Sequence, residues 1–221
     1  MPAPSQGLNS FFSWGYLTSS WGELVSALIE HIAITVAAVA LATAIAIPLA
    51  ILAVRTRWLA TPALIVGALL YTVPSLALIT GLWPVFGLSA TTVVVALALY
   101  ALLVILRNTI VGLQGMPEEV RVAGLGMGYS QGALLVRVGM PLALPAIMAG
   151  VRLATVSTVG LVMVGALVGH GGLGLIVLNG FTNNFYLPPI VTGTVLAVVL
   201  GLILEWLLVR LERRLSPWVS R

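Results

Sequence analysis

The longest interruption in this apolar chain lies at positions 117–154, and it gathers the residues best placed for chemistry. Glu118, Glu119, Arg121 and Arg137 flank a glycine cluster, Gly124, Gly126 and Gly128. Pro117 suits the first turn of a helix, because its missing N–H has no partner there. The glycines permit a turn or a close backbone approach. Pro141 and Pro145 mark the entry to the next apolar run. Two readings of this segment stand open: a plain loop between membrane helices, or a short docking helix gripped by a soluble partner.

The remaining reactive residue types exclude more than they offer. The chain has no cysteine, which removes disulfides, thiolate metal sites and cysteine nucleophiles. It has no lysine, so a Walker-type phosphate loop has no place in it. If ATP drives this protein, another subunit binds the nucleotide. Intramembrane hydrolysis needs a histidine pair, paired aspartates or a serine–histidine arrangement. This chain has no aspartate, and its two histidines, His31 and His170, fall near the outer face. A channel is expected to show a filter motif or charged rings within its spans, and neither is visible. Gly169, Gly171 and Gly174 satisfy the G-x-G-x-x-G pattern. A dinucleotide site needs that pattern after a strand of a parallel sheet, whereas a membrane helix precedes it here. A glycine-rich bend between spans, partly re-entrant, is expected instead.

The elements that must position these residues are membrane spans. Hydrophobic residues make up 60% of the 221 and charged residues 7%. Soluble domains carry about 25% charged residues, so the composition requires an integral membrane protein. Five apolar runs are long enough to cross, at about 32–54, 62–83, 91–111, 145–168 and 190–209. The first 20 residues lack the basic start of a cleaved signal peptide. Phe11, Phe12, Trp14, Tyr16 and Trp21 there suit an interfacial segment, where amphipathic rings are favoured, or an unstructured tail.

Charge sets the orientation. The net charge of +4 comes from arginine alone. Arg55 and Arg57 follow the first span, Arg107, Arg121, Arg137 and Arg152 bracket the central segment, and Arg210, Arg213, Arg214 and Arg221 form the tail. The alternate connections hold none. The positive-inside rule then places the N-terminus outside and the C-terminus in the cytoplasm, with an odd number of spans. In a membrane protein this basic balance speaks of topology rather than nucleic acid.

Pro74, followed by Ser75, interrupts the second span and makes either a packing kink or a hinge. Tyr71, Trp83 and Tyr100 are packing aromatics or transient contacts for a cationic solute. Arg107 and Arg152 are expected to snorkel towards the cytoplasm, and His31 to sit at the interface. Ala146, Gly150, Ala154 and Thr158 repeat every four residues, a spacing that lets helices pack closely.

The central stretch resembles the cytoplasmic loop of permease subunits of binding-protein-dependent ABC importers. That motif runs Glu-Ala-Ala, a short gap, Gly, then an apolar run ending in Leu-Pro. Aligned on Pro141, its glycine falls on Gly128 and its Glu-Ala-Ala on Val122, Ala123 and Gly124. The motif glutamate is therefore absent, and Glu118 or Glu119, one turn earlier, stand as substitutes. The blocks YTVPSLAL at 71–78, LYALLVILRN at 99–108, PLALPAIMAGVR at 141–152 and GHGGLG at 169–174 are similar to the osmoprotectant subfamily. The resemblance spans about residues 30–210.

It implies an all-α membrane protein of about five helices with the type I ABC importer permease fold. It divides the chain into an interfacial segment (1–30), a permease domain (31–210) with a coupling loop at about 114–140, and a basic tail (211–221). The implied function is translocation of glycine betaine, carnitine, choline or proline across the cell (inner, cytoplasmic) membrane. The implied partners are an ATPase subunit holding ATP and Mg, an extracytoplasmic solute-binding protein, a second permease and the bilayer. No cofactor is expected in this chain, and no nucleic acid. An importer permease for another small solute, such as an amino acid, is the alternative; a channel or a membrane assembly protein stands behind it.

Overall fold

The computed structural model describes residues 11–218, with side chains at all of them except 57–59. The first ten residues of the interfacial segment, the Arg57 side chain and Arg221 therefore lie outside the described part.

A chain this apolar must satisfy its backbone groups within each segment, which selects helix. A short α1 (Trp14–Ser19) is capped by Ser13, whose Oγ accepts the Tyr16 N–H at 3.3 Å. Then follow α2 (Trp21–Arg55), α3 (Arg57–Thr72), α4 (Ser75–Phe86) and α5 (Ala90–Gln114). The central segment forms α6 (Glu118–Gly126) and α7 (Gln131–Leu134). From α7 the helix runs on through a π turn (Leu135–Gly139) into α8 (Met140–Val162) and a 3₁₀ turn (Met163–Val168). Helices α9 (Leu173–Thr182) and α10 (Leu187–Leu215) complete the chain, and no strand occurs among the described residues.

Four helical stretches are long and apolar enough to cross a membrane, and α3 with α4 makes a fifth if the pair counts as one span. The chain bends by 101° at their junction. Pro74 is the reason: it heads α4 with ψ 136, and it holds the preceding residue out of helical conformation. The fourth span differs from expectation at its start. Pro141 does not open a loop, because the π turn ahead of it widens the helix. The Met140 N–H reaches back five residues to the Leu135 carbonyl, which relieves the clash of the proline ring with the preceding turn. Helix α2 also begins earlier than expected and runs unbroken past Glu30 and His31.

The chain folds as two compact units. One comprises the residues up to Ala38, Val73–Leu97 and Val156–Ile203; the other comprises Val39–Thr72, Ala98–Thr155 and Leu204 onward. Every arginine at a described position belongs to the second unit. The first unit has Glu23, Glu30, His31 and His170 as its ionisable acids and imidazoles.

Packing in the second unit relies on small residues. Ala42, Ala46, Ala50 and Ala53 form a buried seam along α2, while Leu41, Ile45 and Leu52 are exposed. Lipid is as apolar as leucine, so close van der Waals approach rather than hydrophobicity joins helices here. Helices α5 and α8 meet on the same terms. A Cβ on Gly112 would sit 2.7 Å from that of Ala146, and one on Gly150 would sit 2.7 Å from that of Asn108. The four-residue repeat of α8 thus faces α5 through Ala146 and Gly150. In the first unit Leu24, Ala27, Leu173, Ile176 and Ala197 form a core, with Met163 and Leu196 packed against it.

Candidate functional site

The central segment is two short helices, α6 and α7, joined by a glycine turn. Helix α6 starts directly after Pro117, in keeping with that residue's lack of an N–H. Glu118, Glu119, Val122 and Ala123 are all exposed, with Val122 at 59% and Met127 further on at 72%. Glu118 is occupied within the helix: Arg121 Nε and Nη2 donate to its two carboxylate oxygens at 2.9 and 2.7 Å. The guanidinium hydrogen bonds hold the Glu118 carboxyl below its ordinary range. Glu119 has no ion pair among the described residues. Of the two acids offered in place of the motif glutamate, Glu119 is the one this chain leaves unengaged.

Gly124 and Gly128 do different work. Gly124 is buried, and a Cβ there would run into the Leu134 side chain, so it sets the approach of α6 to α7. Gly128 has φ +86, and nothing lies within 4 Å of where a Cβ would stand. Its N–H donates to the Leu125 carbonyl at 3.0 Å and the Tyr129 N–H to the Gly124 carbonyl at 3.1 Å. This is the Schellman closure of a helix, which wants a left-handed residue at that place. The glycine requirement therefore arises inside this chain, from conformation rather than crowding. Ser130 then caps α7, its Oγ accepting the Ala133 N–H at 3.2 Å.

A cleft of about 430 Å³ runs beside α6, lined by Arg55, Met116, Arg121, Leu125, Gln131 and Leu134 among others. Arg55 reaches over the start of α7, 3.3 Å from where a Gly132 Cβ would be.

The aromatic candidates separate. Tyr71 and Tyr100 pack edge to face, with centroids 5.6 Å apart. Tyr100 is buried and Tyr71 half exposed. Tyr71 lines a second cavity of about 420 Å³ with Leu103, Val104, Arg107, Asn108, Val111 and Leu153. Arg107 lies seven residues before the end of α5, a depth of about 10 Å along the helix. That is further in than a span ending at 111 implied. Pro74 and Ser75 belong to the other unit, where they begin α4.

Two features were missed or misread from the sequence. Arg152 does not snorkel alone. Its Nε donates to Glu205 at 2.9 Å, its Nη2 bonds the same carboxylate, and its Nη1 donates to Glu212 at 2.9 Å. The two glutamates are seven residues apart on α10, which puts them on one face two turns apart. That spacing was the available signal. His31 is fully buried within the protein, its Nε2 3.0 Å from the Val159 carbonyl oxygen. It lies under the glycine-rich bend: a Cβ on Gly172 (φ +50) would stand 2.7 Å from the His31 backbone nitrogen and from the Ala27 carbonyl oxygen. His170 in the same bend sits 3.4 Å from Glu30. The bend leads directly into α9, and a Cβ on Gly174 would come within 2.6 Å of the Met163 Cα. Close helix packing, with no strand before it, accounts for the glycine pattern.

The chain has relatives among known proteins. The family described as the binding-protein-dependent transport system inner membrane component matches residues 42–217. The osmoprotectant import permease protein OsmW of Salmonella typhimurium is 39% identical, covering 91% of this chain and 96% of its own. The carnitine transport permease protein OpuCB of Listeria monocytogenes is 38% identical over 87% of this chain and 88% of its own. The choline transport system permease protein OpuBB of Bacillus subtilis is 34% identical over 91% and 93%. Among solved structures, a chain of the MetNI methionine ABC transporter in an inward-facing conformation superposes with a TM-score of 0.79. That match covers 89% of this chain and 98% of the other at 21% identity, and it speaks to fold alone.

Proposed function

The chain belongs to the family of binding-protein-dependent transport system inner membrane components, and on that premise we propose that it carries an osmoprotectant through the cytoplasmic membrane. It is a multi-pass membrane subunit of an importer. The solute we assign is glycine betaine, carnitine, choline or a similar compact quaternary amine or zwitterion. The observation that carries this is the agreement of relatives at 33–39% identity, whose names are osmoprotectant, carnitine, choline and glycine betaine permeases. The methionine transporter matches at 21% and lends no weight to an amino-acid cargo.

In the reading we propose, the exposed face of α6 enters a groove of a separate ATPase subunit, which holds ATP and Mg. Closure of the ATPase then pulls on α5 and on the α7–α8 helix that flank α6, and the pathway alternates its access. A soluble binding protein delivers the solute from outside, and a second permease completes the pathway. The confinement of arginine to one unit supports an outside N-terminus and a cytoplasmic C-terminus.

Uptake decides the solute. Cells lacking other osmolyte importers, given this chain with an ATPase subunit and a solute-binding protein of an osmoprotectant importer, are expected to accumulate labelled glycine betaine, carnitine or choline. Accumulation of only methionine or a sugar would overturn the assignment.

A further inference from the structure

The cavity between α3, α5 and α8 contains one charged side chain, Arg107. Among the described residues, Arg107 forms no ion pair and no side-chain hydrogen bond. Arg152, on α8 of the same unit, holds two carboxylates by contrast. A guanidinium this far inside a membrane helix normally faces a partner or a water-filled cavity rather than hydrocarbon. Arg107 is exposed and lines this cavity beside Asn108. Asn108 uses one amide hydrogen on the Val104 carbonyl at 2.8 Å and keeps its second donor. Tyr71, half exposed and held edge to face by the buried Tyr100, lines the same cavity. The other walls include Leu103, Val111 and Leu153.

We propose that this cavity is a solute-binding station of the pathway, selective for zwitterions that join a carboxylate to a quaternary ammonium. The inference rests on the osmoprotectant reading and narrows it. Arg107 offers a forked set of donors matched to a carboxylate. Tyr71 offers an aromatic face to the trimethylammonium group. The volume of about 420 Å³ lies within the range of small-molecule sites, about 300–1,000 Å³. Gly67 and Gly150 account for the shape. A Cβ on Gly67 would come 2.7 Å from Leu103, and one on Gly150 2.7 Å from Asn108, so α3 and α8 close tightly on α5 around the opening. The same arginine repels a solute that is only cationic. Choline is therefore disfavoured at this station, whatever the binding protein admits.

The test separates this station from the binding protein. The full chain is purified in nanodiscs with the permease and ATPase subunits that accompany it, without the binding protein. Saturation-transfer NMR is read on the trimethylammonium resonance of glycine betaine, carnitine and choline, which detects weak binding. Glycine betaine and carnitine are expected to bind at least roughly tenfold better than choline, the order of one charge-assisted hydrogen-bonded contact. Arg107→Gln is expected to abolish that preference, and Arg107→Lys, which keeps the charge without the fork, to keep part of it. Tyr71→Leu is expected to weaken all three ligands, and Tyr71→Phe, which keeps an aromatic face, to weaken them less. Equal binding of the three ligands to the unaltered protein overturns the proposal, as does an undiminished preference in Arg107→Gln, which would leave Arg107 as a lipid-headgroup anchor. Equal loss of all ligands in Arg107→Gln with Arg107→Lys unrescued assigns the residue a structural role and overturns it too. If cells with the intact system import none of the three solutes, the osmoprotectant reading falls with it; if they import glycine betaine and only the NMR preference is missing, the station alone falls.

Discussion

Gly128 offers the sharpest discrimination between two reasons for a glycine in a docking segment. If crowding by a partner demands it, tolerance follows side-chain size: Ala is the mildest replacement and Asn is worse. If conformation demands it, the order inverts. Gly128 has φ +86 with open space around it. An L-residue with a Cβ there costs about 1–2 kcal/mol, whereas Asn visits that region readily because its side chain bonds locally. A cost of that size shifts the balance between closed and frayed helix ends by about 5–30-fold. The two hydrogen bonds at stake are Gly128 to Leu125 and Tyr129 to Gly124, at 3.0 and 3.1 Å. Their loss frees the end of α6, and with it the setting of Val122 and Glu119. The assay compares Gly128→Asn, Gly128→Ala and Gly128→Val for membrane abundance, recovery of the ATPase by pull-down, and glycine betaine uptake. Abundance is expected to stay level, because the residue lies in a polar segment between spans. Recovery and uptake are expected to fall in the order Gly, Asn, Ala, Val. Ala performing better than Asn would refute the conformational account and restore the crowding one.

Further outcomes follow from other contacts. Arg152→Met leaves Glu205 and Glu212 without their shared cation in a half-buried setting, and it is expected to lower stability in detergent by on the order of 1–3 kcal/mol; adding Glu205→Gln and Glu212→Gln should recover most of the thermal midpoint. Gly172→Ala combines a positive φ outside the left-handed helical region with a clash against Ala27 and His31, and it is expected to remove most of the protein from the membrane by immunoblot, whereas Gly169→Ala, left-handed but unobstructed, should be milder. Single cysteines introduced into this cysteine-free chain at the exposed positions Gln131, Thr182 and Trp218 report orientation. An impermeant thiol reagent outside intact cells is expected to label position 182 alone, and labelling at 131 or 218 would reverse the topology.

What the sequence disclosed and what it concealed divide along physical lines. The spans were legible because hydrocarbon imposes length and composition on each helix separately. The turn after α6 was legible because Gly128 answers to its own backbone. The motif glutamate's absence at Val122 was also plain, and so was the engagement of Glu118 rather than Glu119 by Arg121, because residues three apart share a helix face and residues two apart do not. Arg152 was misread because its partners lie 53 and 60 residues away, and helix rotation decides whether such residues meet. The burial of His31 was hidden for a related reason. Charge and hydropathy say nothing of a cover, whereas Gly172 lets the bend close over it and Val159 supplies a carbonyl. The small-residue repeat of α8 announced close packing, but the partner helix had to be seen.

The π turn at Leu135–Gly139 sets the phase between what lies before it and what lies after. An α-helix advances about 100° per residue, and a π turn accommodates one additional residue without adding a full step of winding. Side chains of α7 and those of α8 therefore obey two angular registers on one continuous rod. Moving the wide turn one position along would re-aim a single residue by roughly that angle while every other stayed in place. In the docking role proposed for α6, a tug passed to α7 through the Gly124–Leu134 contact would reach the span at this joint, where pull and twist are coupled.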